Sequence, residues 1–583
     1  MPRTRRKGIP ATKTVIARLT VPGACSLAAL LLFFFVSAAG HAQCTTRTTS
    51  DPAIRQAYSQ KDWARVVALA QTQTLRSAGA NFDYGMALAH LGKWPAARAA
   101  LLAGERACPA QKRFPTELAG VAFERKRYPE AAAWLRRALR LDPHDDYANN
   151  FAGTVYYLMG NLPAALRYWN RVGKPQIAAL NFDPQLRVRR LLLDRAFTFS
   201  PQAVLEEPQL AATEARVAGL GLFPAYNIVL NARPDGSFDA AFHAIERNGF
   251  GVTPVQALVS TFSGLPYETM YPSYYDIGRS AMNVESLLRW DEQKRRVWLS
   301  LSAPLRDLPQ NRWSLSADVR DENWVIRSSF AGTAPMLGSL NLQTRTATAS
   351  FTSFLSGRLK GSLGVRASHR GYRDVVDGTA LNPHLILPGA ALGFLASLEG
   401  KPLDIPSRRF TLTTSATSET TRLWSSPPYL VEKLQGSALA HWFPQAQSNT
   451  WEVTQRVRAG GLMGASPFDQ LFMLGVERDN DLWLRGHIGT RDGKKGSSPL
   501  GTDYFLSNSD LDRRIYSNGL LGVQIGPLLD IGRMAAPTPG LSTRQWLFDT
   551  GIEAKLTVLG TNVVLTWGRD LRTGNNAFYG TAQ

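Results

Sequence analysis

One arginine dominates the chemistry this sequence could perform. Arg485 stands in the run Leu482-Trp483-Leu484-Arg485-Gly486-His487, and carboxylates recur downstream at Asp510, Asp512 and Asp530. A guanidinium withdrawn from water needs partners, and its planar fork accepts carboxylate oxygens two at a time. Gly486 beside it lets the backbone turn tightly. The chemistry outlined is a lock, an ion pair that pins a long loop, and the alternative is a surface turn with ordinary charges. Signs of catalysis are missing. There is no Gly-x-Ser-x-Gly elbow, and Gly493-Lys-Lys-Gly-Ser497 lacks the spacing of a phosphate loop. The eight His residues show no metal-ligand spacing, and Asp479 and Asp481 read as solvated loop carboxylates. No catalytic residue, cofactor or metal is expected, and the chain is not read as an enzyme.

The elements that would hold such a lock are strands. From Gly251 onward helical periodicity gives way to alternation. Trp313, Leu315, Ala317 and Val319 share one face, and Ser314, Ser316, Asp318 and Arg320 share the other. Ile552, Ala554, Leu556 and Val558 likewise oppose Glu553, Lys555 and Thr557. One apolar and one hydrophilic face marks a half-buried strand. The polar faces are often charged, as a wet lumen permits, and Trp298, Trp313, Trp324 and Trp567 fall near strand ends, where an interfacial girdle would lie. Residues 251–583 therefore read as a transmembrane antiparallel β-barrel of about 16 strands.

The front of the chain is different. Gly85, Ala119 and Gly153 recur at a 34-residue period, followed in phase by Ala97, Ala131 and Ala165 and by Leu101, Leu135 and Trp169. That period with small residues at those phases is the tetratricopeptide signature, an all-α solenoid over residues 43–180. Residues 1–42 read as a signal peptide, with Arg3, Arg5, Arg6 and Lys7 ahead of the apolar stretch Ser26–Val36. In an oxidising compartment Cys44 and Cys108 are a candidate disulfide, with two free thiols as the alternative. The net charge is +20, yet no long Lys/Arg run or basic-aromatic interleaving suggests nucleic acid.

Between these parts, residues 195–249 read as a small α/β domain. Arg195–Phe199 is expected as a strand, Ser200-Pro201 as a helix start, Pro208 as a second helix start, and Phe223–Leu230 and Phe238–Glu246 as two more strands. This order, with Thr213-Glu214-Ala-Arg216 and Leu220-Gly221-Leu222-Phe223, resembles a polypeptide-transport-associated (POTRA) domain. Such domains add client strands to their sheet edges.

The order Leu484-Arg485-Gly486-His487, then Asn508-Ser-Asp510-Leu-Asp512, Pro527-Leu-Leu-Asp530-Ile-Gly532 and Phe548-Asp549-Thr-Gly551-Ile-Glu553 resembles the barrel of the BamA/TamA superfamily of outer-membrane insertases and two-partner-secretion transporters. The resemblance implies a loop inside the barrel whose Arg485 meets Asp530 and either Asp512 or Asp510 on the inner wall. His487 departs from the aromatic residue usual there. It further implies a bacterial outer-membrane location, with residues 43–249 in the periplasm gathering a client polypeptide and the barrel inserting or passing it. Outer-membrane lipids are then a partner. Two other readings stay open: an exopolysaccharide export porin whose repeats scaffold export partners, and an outer-membrane receptor or anchor.

Overall fold

The computed structural model describes Cys44 and residues 49–582, apart from 332, 377, 379–380, 382, 426, 519–520, 536–539 and 559–560. The signal-peptide reading of residues 1–42 lies outside the described residues. Among those described, no helix is long and apolar enough to cross a membrane. The chain divides into two compact units, residues 1–114 and 115–583.

In the first unit, helices Pro52–Ser59 and Trp63–Gln71 form a short hairpin, followed by the longer pair Ala78–His90 and Trp94–Ala107. Their close approach explains the small residues. A Cβ on Gly85 would come within 2.7 Å of the Leu101 side chain, and one on Gly104 within 2.3 Å of Phe114. Cys44 and Cys108 are joined in a disulfide.

The second unit continues the helical hairpins with Tyr128–Leu141, Asp146–Leu158 and Leu162–Trp169. Here Gly153 faces Trp169, whose ring would sit 2.2 Å from an added Cβ, whereas the nearest atom to a Cβ on Gly120 is 3.9 Å away. Gly153→Ala is therefore expected to cost about 1–3 kcal/mol through overpacking. Gly120→Ala, on a helix flank, is expected to be neutral or stabilising by up to about 1 kcal/mol. Thermal melts followed by the helical circular dichroism signal will separate the two.

The α/β module begins earlier than its sequence suggests. Its strands are β1 Ile177–Asp183, β2 Ala225–Ala232 and β3 Phe238–Ile245, in the order β1-β3-β2 with β1 parallel to β3. Helices Arg190–Ala196 and Glu207–Gly219 lie between β1 and β2. The expected strand Arg195–Phe199 is not one. Its start closes the first helix, and Phe197 and Phe199 are buried in the module core. Alternate burial gave those residues a strand's pattern. Ser200-Pro201 opens a turn rather than a helix. Pro208 does stand in the first turn of the second helix, capped by a reciprocal Glu206–Gln209 box.

After a nine-residue helix, Pro254–Phe262, the wall begins. Its first strand is interrupted, as β4 Thr269–Met270 and β5 Ser273–Ile277. Then come β6 Met282–Trp290, β7 Lys294–Leu305, β8 Leu308–Arg327, β9 Met336–Ser356 and β10 Leu359–Val376. The wall continues with β11 Gly389–Ile405, β12 Phe410–Trp424, β13 Tyr429–Trp442 and β14 Trp451–Gly464. A long loop holds four two-residue strands, β15 Phe472–Met473, β16 Thr490–Arg491, β17 Lys494–Lys495 and β18 Leu500–Gly501. The wall resumes as β19 Asp503–Ser517, β20 Leu521–Ala535, β21 Leu547–Val558, β22 Thr561–Asp570 and β23 Asn576–Ala582.

The wall strands succeed one another round a barrel, all antiparallel. Counting β4 and β5 as one, there are fifteen among the described residues against the sixteen or so expected. The estimate allowed ~9–11 residues per strand, but β8 and β9 run to 20 and 21. Paired residues follow in register from the first strand to β23. At the junction β23 lies beside β4 and closes the barrel. There Tyr267 Oη donates to the Gly580 carbonyl at 3.0 Å.

Burial across this wall is inverted. Val297, Leu315, Leu363, Phe394, Leu430 and Ile552 are exposed on the outer face, Leu363 by 66%. The charged Arg289, Lys294, Glu322, Arg370, Asp530 and Asp549 are buried on the inner one. Trp313 and Trp567 share the outer face, but Trp298 and Trp324 line a polar interior cavity of about 480 Å³, so they belong to no girdle.

The α/β module and the last helical hairpin sit on the rim of short turns. Arg312 donates to the Gly219 and Leu220 carbonyls at 3.0 and 3.1 Å. Arg189 pairs with Asp307 at 2.6 Å, and Asn161 Nδ2 donates to the Pro406 carbonyl. The fit is close enough that a Cβ on Gly357 would lie 2.3 Å from the Ala211 backbone. Burial beside this rim raises the Glu214 carboxyl above its ordinary value and pushes the Tyr226 phenol up to about 12.

Candidate functional site

The loop between β14 and β19, residues 465–502, leaves the far rim and folds back into the barrel. Apolar anchoring starts it. Leu474, Leu482 and Leu484 pack with Leu506, Met534, Leu547, Leu423 and Val431 of the inner wall. A second patch sets Phe468, Met473 and Leu500 against Ile326, Leu340 and Leu342. Inside that fit, Asn480 Nδ2 donates to the Met473 and Gly475 carbonyls, which fixes the loop's own turn.

One pole of the loop is a cation. Arg485 Nε and Nη2 donate to both oxygens of Asp530, the shortest contact being 2.6 Å, and its backbone N–H adds a third bond to the same carboxylate at 2.9 Å. Nη1 reaches Asp510 at 2.6 Å and Glu553 at 3.3 Å. Asp530 is wholly buried. Asp510 is thus the second wall carboxylate, and Asp512 is not. Residues two apart on a strand share a face but stand at different heights, and Asp512 pairs with Lys555 at 2.7 Å. Gly486 N–H donates to Asp549, and a Cβ there would collide with Asp549 and the Asp570 backbone. Gly568 on β22 is needed for the same reason, because a Cβ on it would lie 2.2 Å from the Arg485 carbonyl.

The other pole is anionic and was missed in the sequence. Asp479 is buried between Arg289 at 2.8 Å, Arg296 at 2.7 Å and Lys495 at 3.0 Å. Glu477 pairs with Lys294 at 3.1 Å, and Lys495 with Glu322 at 2.7 Å. Of the two carboxylates read as solvated, only Asp481 is, its side chain being 88% exposed. Arg289 and Arg296 give no local signal of this role, since their partner lies nearly two hundred residues away. The loop is therefore a dipolar brace. Its anions hold β6 and β7, its Lys495 holds Glu322 of β8, and its arginine holds β19 to β21.

The arrangement provides anchoring and electrostatic holding. No known family model matches the sequence, and no curated protein matches it. Solved structures resemble the chain at low identity. BamA from Haemophilus ducreyi lacking POTRA domains 1-3 is 12% identical over 70% of this chain and 84% of that one, with a TM-score of 0.40. CdiB from Escherichia coli is 11% identical over 70% and 75%, with a TM-score of 0.44. CdiB from Acinetobacter baumannii is 11% identical over 70% and 73%, with a TM-score of 0.41. Likenesses at this level carry no weight below, where the reading rests on the loop, the wall and the module themselves.

Proposed function

We propose that this chain is an outer-membrane transport or assembly protein of the BamA/TamA type, and that its helical repeats and α/β module gather a client polypeptide in the periplasm for the barrel to insert or pass. The observation that carries this reading is the buried loop. A guanidinium-tipped loop is held by carboxylates of a barrel wall that is apolar outside, with an α/β module seated on the short-turn rim.

The membrane placement has a second support. In helix Pro254–Phe262 the exposed residues Val255, Leu258, Val259 and Phe262 recur at i, i+3, i+4 and i+7, while Ala257 is buried and Gln256 hydrogen-bonds to Ser260 beneath. An apolar stripe turned away from the protein fits a lipid surface rather than water.

The junction of β23 with the first strand suits strand pairing with a client. A cavity of about 680 Å³ opens there between Tyr267, Phe578 and Thr581, with loop residues Glu477 and Trp483 at its back. The Thr581 hydroxyl at this place has no hydrogen-bond partner among the described residues. A client strand entering where this junction opens gains main-chain hydrogen bonds, and no nucleotide is required.

Depletion of the protein in its own bacterium tests the proposal. Assembled outer-membrane or secreted client proteins are expected to fall while their unfolded forms accumulate in the periplasm, read by quantitative mass spectrometry of the fractions. Unchanged levels of all of these, with a loss confined to exopolysaccharide output, would overturn it.

A further inference from the structure

Three aspartates stand side by side across adjacent strands. Asp530 on β20 is the register partner of Asp549 on β21, which is in turn the partner of Asp570 on β22. All three are buried, Asp530 and Asp549 completely. Like charges directly opposite one another repel, and burial magnifies the repulsion. Arg485 neutralises Asp530. The other two share His487 as a potential cation, whose Nδ1 lies 3.0 Å from Asp549 and whose Nε2 lies 3.6 Å from Asp570, while Asp570 also accepts from the Arg572 N–H and the Thr573 hydroxyl.

The charge does not balance around them. Six carboxylates, Asp510, Asp512, Asp530, Asp549, Glu553 and Asp570, are grouped here, and the cations paired with them are Arg485 and Lys555. One more positive charge on His487 still leaves an excess of carboxylate. A separate observation points to a ligand. Asp549 Oδ2 accepts from the Gly486 N–H and from His487, but its Oδ1 is buried with no hydrogen-bond partner. A fully desolvated carboxylate oxygen left empty is costly unless something positive meets it.

We infer that His487, Asp549 and Asp570 form a binding site for a divalent transition-metal ion at the tip of the loop. One ligand atom from each lies within 4.8 Å of the others. One imidazole with two carboxylates is a donor set that zinc and manganese accept. The ion would join the loop at His487 to β21 and β22, beside the arginine that joins it to β20. Nothing in the residue order marks this site, because His487, Asp549 and Asp570 lie on three separate elements. The inference rests on the loop being buried and does not depend on what the barrel transports.

The test uses the full-length protein in detergent, stripped with a chelator and titrated with zinc chloride by calorimetry. Saturable binding at one ion per chain is expected. His487→Phe and Asp570→Asn should each abolish it, while heat-modifiable migration on gels shows the barrel still folded. Zinc should also slow tryptic cleavage at Arg491 and Lys494 several-fold in the unaltered protein and leave the rate unchanged in His487→Phe. His487→Gln replaces the phenylalanine variant if that one does not fold. Absence of saturable binding in the unaltered protein, or equal binding in the variants, overturns the site and leaves a protonated histidine bridging the two aspartates.

Discussion

Arg485→Ala is expected to leave a folded barrel whose loop no longer stays inside it. The side chain satisfies Asp530 and Asp510 and touches Glu553, so its removal strands three carboxylates in a buried setting. Breaking one side of such a group costs about 3–5 kcal/mol. The wall has its own ladders and keeps its heat-modifiable migration. The loop keeps its two apolar patches, the anionic pole and the Gly486 and His487 contacts to Asp549 and Asp570, but without its central ion pair proteolysis over residues 487–500 should rise by at least an order of magnitude, with client handling lost in parallel. Wild-type protection and activity would remove the main support for the proposed function. The reciprocal swap of Arg485→Asp with Asp530→Arg is expected to recover little, because an aspartate at 485 would face Asp510 and Glu553.

Asp479→Asn is expected to release the opposite end. It would leave Arg289, Arg296 and Lys495 crowded together without their shared carboxylate. Lys495 keeps Glu322 and Arg296 keeps Asp318, but Arg289 is left with the Thr269 hydroxyl, so a cost of about 3–5 kcal/mol falls mostly there. The measurement is a pair of crosslinking or spin-label distances, one from the loop to β6 and one from the loop to β20. The first should lengthen and broaden while the second holds. Arg485→Ala should give the converse, and the double variant should lose both. If Asp479→Asn alters neither distance, the anionic pole does not hold the loop.

Much of the wall was legible because a strand with one wet and one greasy side writes its period into the residue order, as Trp313–Arg320 does. Its height was not, since nothing local limits how far β8 and β9 extend. The cation pole could be read because arginine, glycine and aspartate recur in a recognisable order. The anion pole could not, because Asp479 looks like any polar loop residue until β6 and β7 surround it. The α/β module shows the same limit. Phe197 and Phe199 alternate as strand residues do, yet they serve as extended packing between two helices, whereas the true first strand, Ile177–Asp183, was hidden at the end of the helical region. The small residues of the hairpins were informative because Gly85 and Gly153 each sit where a neighbouring side chain leaves no room for a methyl.

Under the proposed membrane placement, the unequal length of the wall strands has a consequence for the surrounding lipid. At ~3.3 Å per residue and a tilt of ~45°, a 21-residue strand climbs ~50 Å and a nine-residue strand ~20 Å, against a hydrocarbon thickness of ~30 Å. β9 has 21 residues, whereas β6 and β22, flanking the junction, have nine and ten. On one flank the sheet overtops the bilayer and stands in water. On the other it is too short, so acyl chains there must compress or tilt to meet it, at fractions of a kcal/mol per Å. An incoming hairpin approaching that flank would find a shallower hydrophobic barrier than anywhere else around the circumference.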